Sequence, residues 1–216
     1  MKKLYILILI GVGLSSGLQS CKPDEPASPR APDFVPTPQL IKDYNFFNYG
    51  SWWIYHDSVN NLYDTVTVVE VKQGVDTFRK DGKIQFYYDW FTVNTFSSNT
   101  GYNFEYSYSG SWANLVWRSK YKPGQYVGET ICFFDFPIGT KRAPYTQKGI
   151  VTLIDTIATM EIRSNQFASI YHFEDNENIT EEKGNTQFYF AKNVGIVRKV
   201  IDSSITWDIV DYNINK

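Results

Sequence analysis

Between Tyr102 and Ser109 the chain alternates strictly: Tyr102, Phe104, Tyr106 and Tyr108 hold the even positions, and Asn103, Glu105, Ser107 and Ser109 the odd ones. A period of two sends successive side chains to opposite faces of an extended strand, so this segment presents one aromatic face and one polar face. Less strict runs of Val, Ile, Thr, Tyr, Phe and Trp lie at 51–57, 65–72, 85–93, 130–136, 149–154, 156–162, 167–174, 187–200 and 204–212. These residues suit a pleated, half-buried surface. Turn-forming stretches separate the runs, and Asp81-Gly82 has the composition of a two-residue hairpin turn. No segment carries a sustained helical repeat, although 38–46 has room for a helical turn. The pattern predicts a single all-β, antiparallel domain over 44–216. Periodicity alone leaves closed barrel, half-barrel and β-sandwich open.

The first 43 residues are of a different kind. Lys2 and Lys3 precede an apolar run from Leu4 to Leu14, which Ser15 and Ser16 end. A membrane-spanning helix needs ~20 apolar residues; this shorter run has the build of a secretory signal. Leu18-Gln19-Ser20-Cys21 resembles the lipobox of bacterial lipoproteins, whose cysteine thiol receives a diacylglycerol and whose chain is cut just before it. Gln19 departs from the small or branched residue common at its position. The resemblance implies a signal peptide over 1–20, a lipid on Cys21 and a mature protein held at the outer membrane. Residues 21–43 then read as a tether, with six prolines between Pro23 and Pro38 and too little apolar surface to offset chain entropy. Lys22-Pro23-Asp24-Glu25 resembles the short signature that directs such lipoproteins to the outer cell surface.

Removing residues 1–20 takes two lysines from the 21 basic residues and none of the 23 acidic ones, so the net charge becomes about −4. That balance carries no electrostatic footprint for nucleic acid, and lacks the basic face needed to hold anionic lipid directly. With Cys21 committed to lipid, Cys132 is left without a disulfide partner. Its place in Ile131-Cys132-Phe133-Phe134 reads as a small buried hydrophobe. His56 and His172, the only histidines, could meet with Glu174, but no further ligand has informative spacing, so no metal is assigned. The acidic turn Glu174–Asn178 lacks the glycine and terminal glutamate of a calcium loop. No nucleophile elbow, phosphate loop or dinucleotide fingerprint is present; no catalytic residue and no cofactor are assigned. The chain is rich in aromatics, with 6 Trp, 16 Tyr and 15 Phe. Tyr106, Tyr108, Trp112 and Trp117 cluster in a Ser/Gly-rich region and form the candidate ligand-binding rim, against the plainer reading that a β core uses such residues for packing.

Phe46–Tyr55, with its Gly50-Ser51-Trp52-Trp53-Ile54-Tyr55, is similar to the opening strand of a group of Bacteroidota-type outer-membrane lipoproteins. Ala191-Lys192-Asn193-Val194-Gly195-Ile196-Val197 resembles their closing hairpin. Asn193 stands where glycine is common, and asparagine tolerates the same left-handed backbone. Gly50-Ser51-Trp52 also resembles the Gly-x-Trp of lipocalins. The resemblance implies a lipocalin-like curved β fold and brings no catalytic residues. The expected function is that of a non-catalytic envelope lipoprotein, anchored in the membrane by its lipid, whose β domain binds a small apolar ligand, a glycan or a partner protein. A structural component of an outer-membrane complex would show an exposed apolar patch or an unpaired strand edge. A glycan-degrading enzyme would set two carboxylates across a cleft.

Overall fold

Almost every strand pairs with the one that follows it in the chain. The computed structural model describes residues 32–111, 115–122, 125–142, 150–176 and 184–216. In chain order these hold β1 (Asp33–Val35), α1 (Gln39–Asn45), β2 (Trp52–Asp57), β3 (Leu62–Lys80), β4 (Lys83–Ser97), β5 (Asn103–Ser109), β6 (Leu115–Lys122) and β7 (Gln125–Phe133). After these come β8 (Lys141–Arg142), β9 (Val151–Ile162), β10 (Asn165–Asp175), β11 (Thr186–Ala191), β12 (Gly195–Ile201) and β13 (Ile205–Asn213). The hydrogen-bonded path runs β7-β6-β5-β4-β3-β2-β13-β12-β11-β10-β9-β8. The early strand β2 therefore pairs with the last strand, β13, and the sheet curls into a nearly closed antiparallel barrel.

This settles the choice that periodicity left open, in favour of the barrel. Its path counts twelve strands, more than the eight of a lipocalin, so the likeness to that fold is one of up-and-down barrel architecture. The strand runs expected at 149–154 and 156–162 are one continuous strand, β9, and the run at 187–200 is two, β11 and β12, folded at Asn193 (φ 64°) and Gly195 (φ 89°). Asp81 and Gly82 turn β3 into β4 with φ of 51° and 74°, the two left-handed residues of a type I′ hairpin.

The aromatic face of β5 points inward. Phe104 and Tyr108 are buried and Tyr106 half-buried, paired across to Thr95, Phe91 and Val93 of β4, which are buried on the same face. The interior is filled further by α1, which has only seven residues and no side-chain N-cap. Such a segment is marginal alone; burial of Ile41 and Tyr44 holds it. Tyr44 donates its hydroxyl to the Ser169 carbonyl at 2.6 Å and stacks on Phe134 at 4.9 Å. Asp33–Lys216 forms one compact unit. Residues 33–43, read from composition as tether, thus contribute β1 and most of α1 to the fold. Pro38, in extended backbone (φ −55°, ψ 137°), leads directly into α1.

The open seam of the path lies between β7 and the β8–β9 edge. No backbone pairing bridges it among the described residues. Aromatic side chains do: Phe133 meets Phe173 of β10 at 5.3 Å, and Phe134 meets Tyr171 at 5.1 Å and Phe173 at 6.0 Å. Cys132 is fully buried beside them; burial pushes its thiol pKa well up, against smaller opposing effects of Asn45 and Arg118. It is a buried core residue, in keeping with its apolar neighbours.

Candidate functional site

Among the described residues two places in the barrel offer room to a ligand. The first is the lumen, which holds two adjoining cavities of about 70 and 50 Å³. Tyr55, Val66, Thr95, Tyr106 and Ile196 line both. The larger adds polar groups, with Asp64, Arg118 and Lys199 in its wall. Asp64 is already engaged: its carboxylate accepts from Ser97 Oγ at 2.9 and 3.0 Å and from the Asn99 N–H at 3.0 Å, tying the β4–β5 turn to β3. Arg118 is 2% exposed and lies 5.0 Å from the centre of the Phe188 ring and 5.6 Å from that of Phe104. Lys120, also buried, sits 4.3 Å over Tyr102. These cations are packed against aromatic faces as part of the interior. The space left suits one or a few waters, far below the ~300–1,000 Å³ of ordinary ligand sites.

The second place is a groove of about 250 Å³ on the outer surface of β3, β4 and β5, lined by Asp76, Tyr88, Trp90, Thr92, Ser107 and Ser109 among others. Register explains its make-up. Gly74 pairs with Trp90, Trp90 with Ser109, and Thr92 with Ser107, all on the face opposite the packed interior. Gly74 has no side chain, and the Trp90 indole lies in the space one would fill: a Cβ there would stand 2.9 Å from Cζ2 of the ring. The indole is thereby laid along the sheet as the floor of the groove. Thr92 and Ser107 share a hydrogen bond of 3.3 Å, Ser107 donates to Glu105 at 3.1 Å, and Ser109 and Ser111 lie 2.9 Å apart. Tyr88 donates to Asp76 at 3.4 Å, and burial with the Asp76 charge raises the phenol pKa. Trp117 of β6 repeats the arrangement on the same face. It pairs with Ser107 and covers Gly128, where a Cβ would stand 2.5 Å from Nε1.

The predicted rim residues separate into two groups. Tyr106 and Tyr108 face the interior, and Trp117 is half-buried on the outer face. Trp112 and the lipidation residue Cys21 lie outside the described residues. Tyr106 borders both lumenal cavities, while Tyr108 is fully buried and stacked on Phe91 at 5.5 Å. The Tyr108 hydroxyl has no hydrogen-bond partner among the described residues. Burial, and after it the charge of Asp89, pushes the phenol pKa well up. An unsatisfied buried hydroxyl is a net cost. Tyr108→Phe is therefore expected to hold or raise stability, by up to about 1 kcal/mol, in urea unfolding; a loss of that size would show that the hydroxyl has a structural role. Trp90 stands outside the predicted rim. Its signal was visible, since Phe86, Tyr88 and Trp90 alternate on one face of a strand whose other face supplies the core, but strand periodicity does not reveal which glycine an indole will cover.

The two histidines occupy separate surroundings. His56 contacts Arg163 and bonds Asn61 at 3.0 Å; His172 bonds Gln187 at 3.2 Å and stacks on Tyr189 at 4.1 Å, with its pKa lowered by burial. Among the described residues no group of three or more His, Cys, Asp or Glu gathers as metal ligands do. Compared with family models, curated proteins and solved structures, the chain gives no match.

Proposed function

We propose that this chain is an envelope lipoprotein, held at the outer membrane by a lipid on Cys21, whose barrel is a non-catalytic carbohydrate-binding domain. The observation that carries the reading is the groove with the Trp90 indole laid over Gly74 beside the Tyr88 hydroxyl and the exposed Asp76 carboxylate, with Thr92, Ser107 and Ser109 buried beneath. A sugar ring offers an apolar C–H face and a rim of hydroxyls, and an indole floor with the flanking Tyr88 and Asp76 oxygens matches both. The small lumen argues against the apolar-ligand version of a binding domain, because side chains and α1 occupy the interior. Glycoside hydrolysis uses two facing carboxylates; the groove lining includes one, Asp76, which favours binding over cleavage.

Native gels cast with a soluble β-glucan, an α-mannan or a pectin test the reading. At least one polysaccharide is expected to retard the protein. Trp90→Ala is expected to weaken that retardation about tenfold or more, equivalent to ~1.4 kcal/mol, with little change in the unfolding midpoint. Equal retardation of the variant, or none of the parent by any of the three, would overturn the assignment.

A further inference from the structure

The β3–β4 hairpin continues past the barrel as an arm. Beyond Gly74 and Trp90 neither strand pairs with another barrel strand; β1 alone joins the arm, parallel to β4, with Asp33 beside Phe86 and Val35 beside Tyr88. Both faces of this arm carry apolar side chains. On one face lie Phe34, Val75 and Tyr87, exposed by 54%, 62% and 36%. On the other, Phe78 is 44% exposed and stacks on Phe86 at 4.8 Å. The tip adds Arg79, Lys80 and Lys83 against Asp81, all exposed. The near-neutral total charge of the chain conceals this local cluster.

From these features we infer that the arm seats its tip in the surface of a lipid bilayer. A protein partner docked on the sheet would cover one face of the arm, whereas an apolar interface can receive both at once. Aromatic side chains settle at the headgroup level, and Lys and Arg around them reach anionic headgroups while their stems stay apolar. The direction of β1 agrees. Because it runs parallel to β4, its first residue lies toward the tip, so the chain from Cys21 joins the fold there. Twelve peptide steps separate Cys21 from Asp33, a reach of at most ~40 Å. The inference rests on the lipid anchor at Cys21 for the choice of membrane, and on the arm itself for the contact.

The test uses the full chain, produced in a host that lipidates it and reconstituted in vesicles of phosphatidylethanolamine and phosphatidylglycerol. A polarity-sensitive fluorophore is placed by Gln85→Cys on the arm, or by Ser58→Cys in the β2–β3 turn, beyond the opposite end of β3. Nitroxide-bearing lipids are expected to quench position 85 several-fold more than position 58. Combining Phe78→Ser with Tyr87→Ser is expected to remove the difference while the protein still floats with the vesicles. Equal quenching at both positions, in protein that carries the lipid by mass and floats, would overturn the arm contact and leave the anchor standing. Protein without lipid by mass would overturn the anchor, and quenching confined to position 85 would then still support the arm. A difference that survives the double substitution would show that these side chains do not make the contact.

Discussion

Phe134→Ala is expected to destabilise the barrel by about 3–5 kcal/mol, the upper range for truncating a buried aromatic. Phe134 is fully buried, directly follows β7, and meets Tyr44 of α1 at 4.9 Å and, across the seam, Tyr171 and Phe173 of β10 at 5.1 and 6.0 Å. Elsewhere around the barrel a lost side chain leaves a hydrogen-bonded ladder in place. Between β7 and β9 there is no such ladder among the described residues, and the surrounding rings pack the two edges together. A cavity at this position removes the contact that closes the sheet, and the helix packed on it loses its stacking partner. Urea unfolding followed by tryptophan fluorescence would read the effect as a lower midpoint with an unchanged slope. Phe96→Ala, on the outer surface and 39% exposed, is the matched control and should change stability by no more than about 0.5 kcal/mol. A loss at Phe134 as small as that would mean the seam is closed by other means.

The fold was legible in the sequence wherever one strand face is wholly apolar or aromatic. β5 shows this best: its even residues alternate and its even residues fill the interior. β6 shows the opposite. Its inward positions are Val116, Arg118 and Lys120, so a strand with a buried face reads as mixed and polar. Its outward position is Trp117, which reads as core. The charges become tolerable only because rings from other strands meet them, Phe104 and Tyr102 from or beside β5 and Phe188 from β11, and nothing local foretells that. The arm was half-legible for a similar reason. Asp81-Gly82 marked its turn and the run at 85–93 took in most of its β4 side, yet the run at 65–72 stopped short of it, because a strand with apolar residues on both faces has no clean alternation.

The candidate groove was hidden by the same logic in reverse. Tyr106 and Tyr108 were visible as an aromatic set, and burial claims them. Trp90 sits in a run with aromatics on both faces, where sequence gives no means of choosing the solvated side. Only pairing does so, by placing Gly74 beside Trp90 and Ser107 beside Thr92. The groove and the arm share β3 and β4, with Asp76 and Tyr88 where one passes into the other. A sheet that carries the chain's exposed apolar tip and its polar aromatic groove in succession would hold any bound glycan close to the surface on which the tip rests.

Gly195→Val is expected to be the second severe substitution, and it tests why two distant motifs bracket the domain. The opening segment 46–55 and the closing segment 189–198 meet in space. Trp53 donates its indole N–H to the Val194 carbonyl at 2.7 Å, and Tyr55 its hydroxyl to the Ile196 carbonyl at 2.8 Å. The Asn193 N–H donates to the Asp43 carbonyl at 2.7 Å, and Lys192 pairs with the Asp43 carboxylate at 3.1 Å. Burial opposes ionisation of Asp43, but the Gln39 amide and the Lys192 ammonium more than offset it and hold that carboxyl below its ordinary range. Phe47 lies over the turn, edge-on to Trp53 at 5.0 Å, and a Cβ on Gly195 would come within 3.1 Å of its ring. Gly195 also has φ of 89°. A valine there incurs left-handed strain of about 1–3 kcal/mol together with overpacking of about 1–3 kcal/mol. It would also push Phe47 away from Trp53 and loosen α1 over the lumen. Asn193→Gly, at φ 64°, keeps the turn geometry and should stay within about 1 kcal/mol of the parent. Hydrogen exchange would separate this lock from a general loss of stability: Gly195→Val should raise exchange first at Asn193 and along α1, ahead of β5 and β10. Uniform exchange across the barrel, or a variant as stable as the parent, would show that the two motifs are neighbours without being a lock.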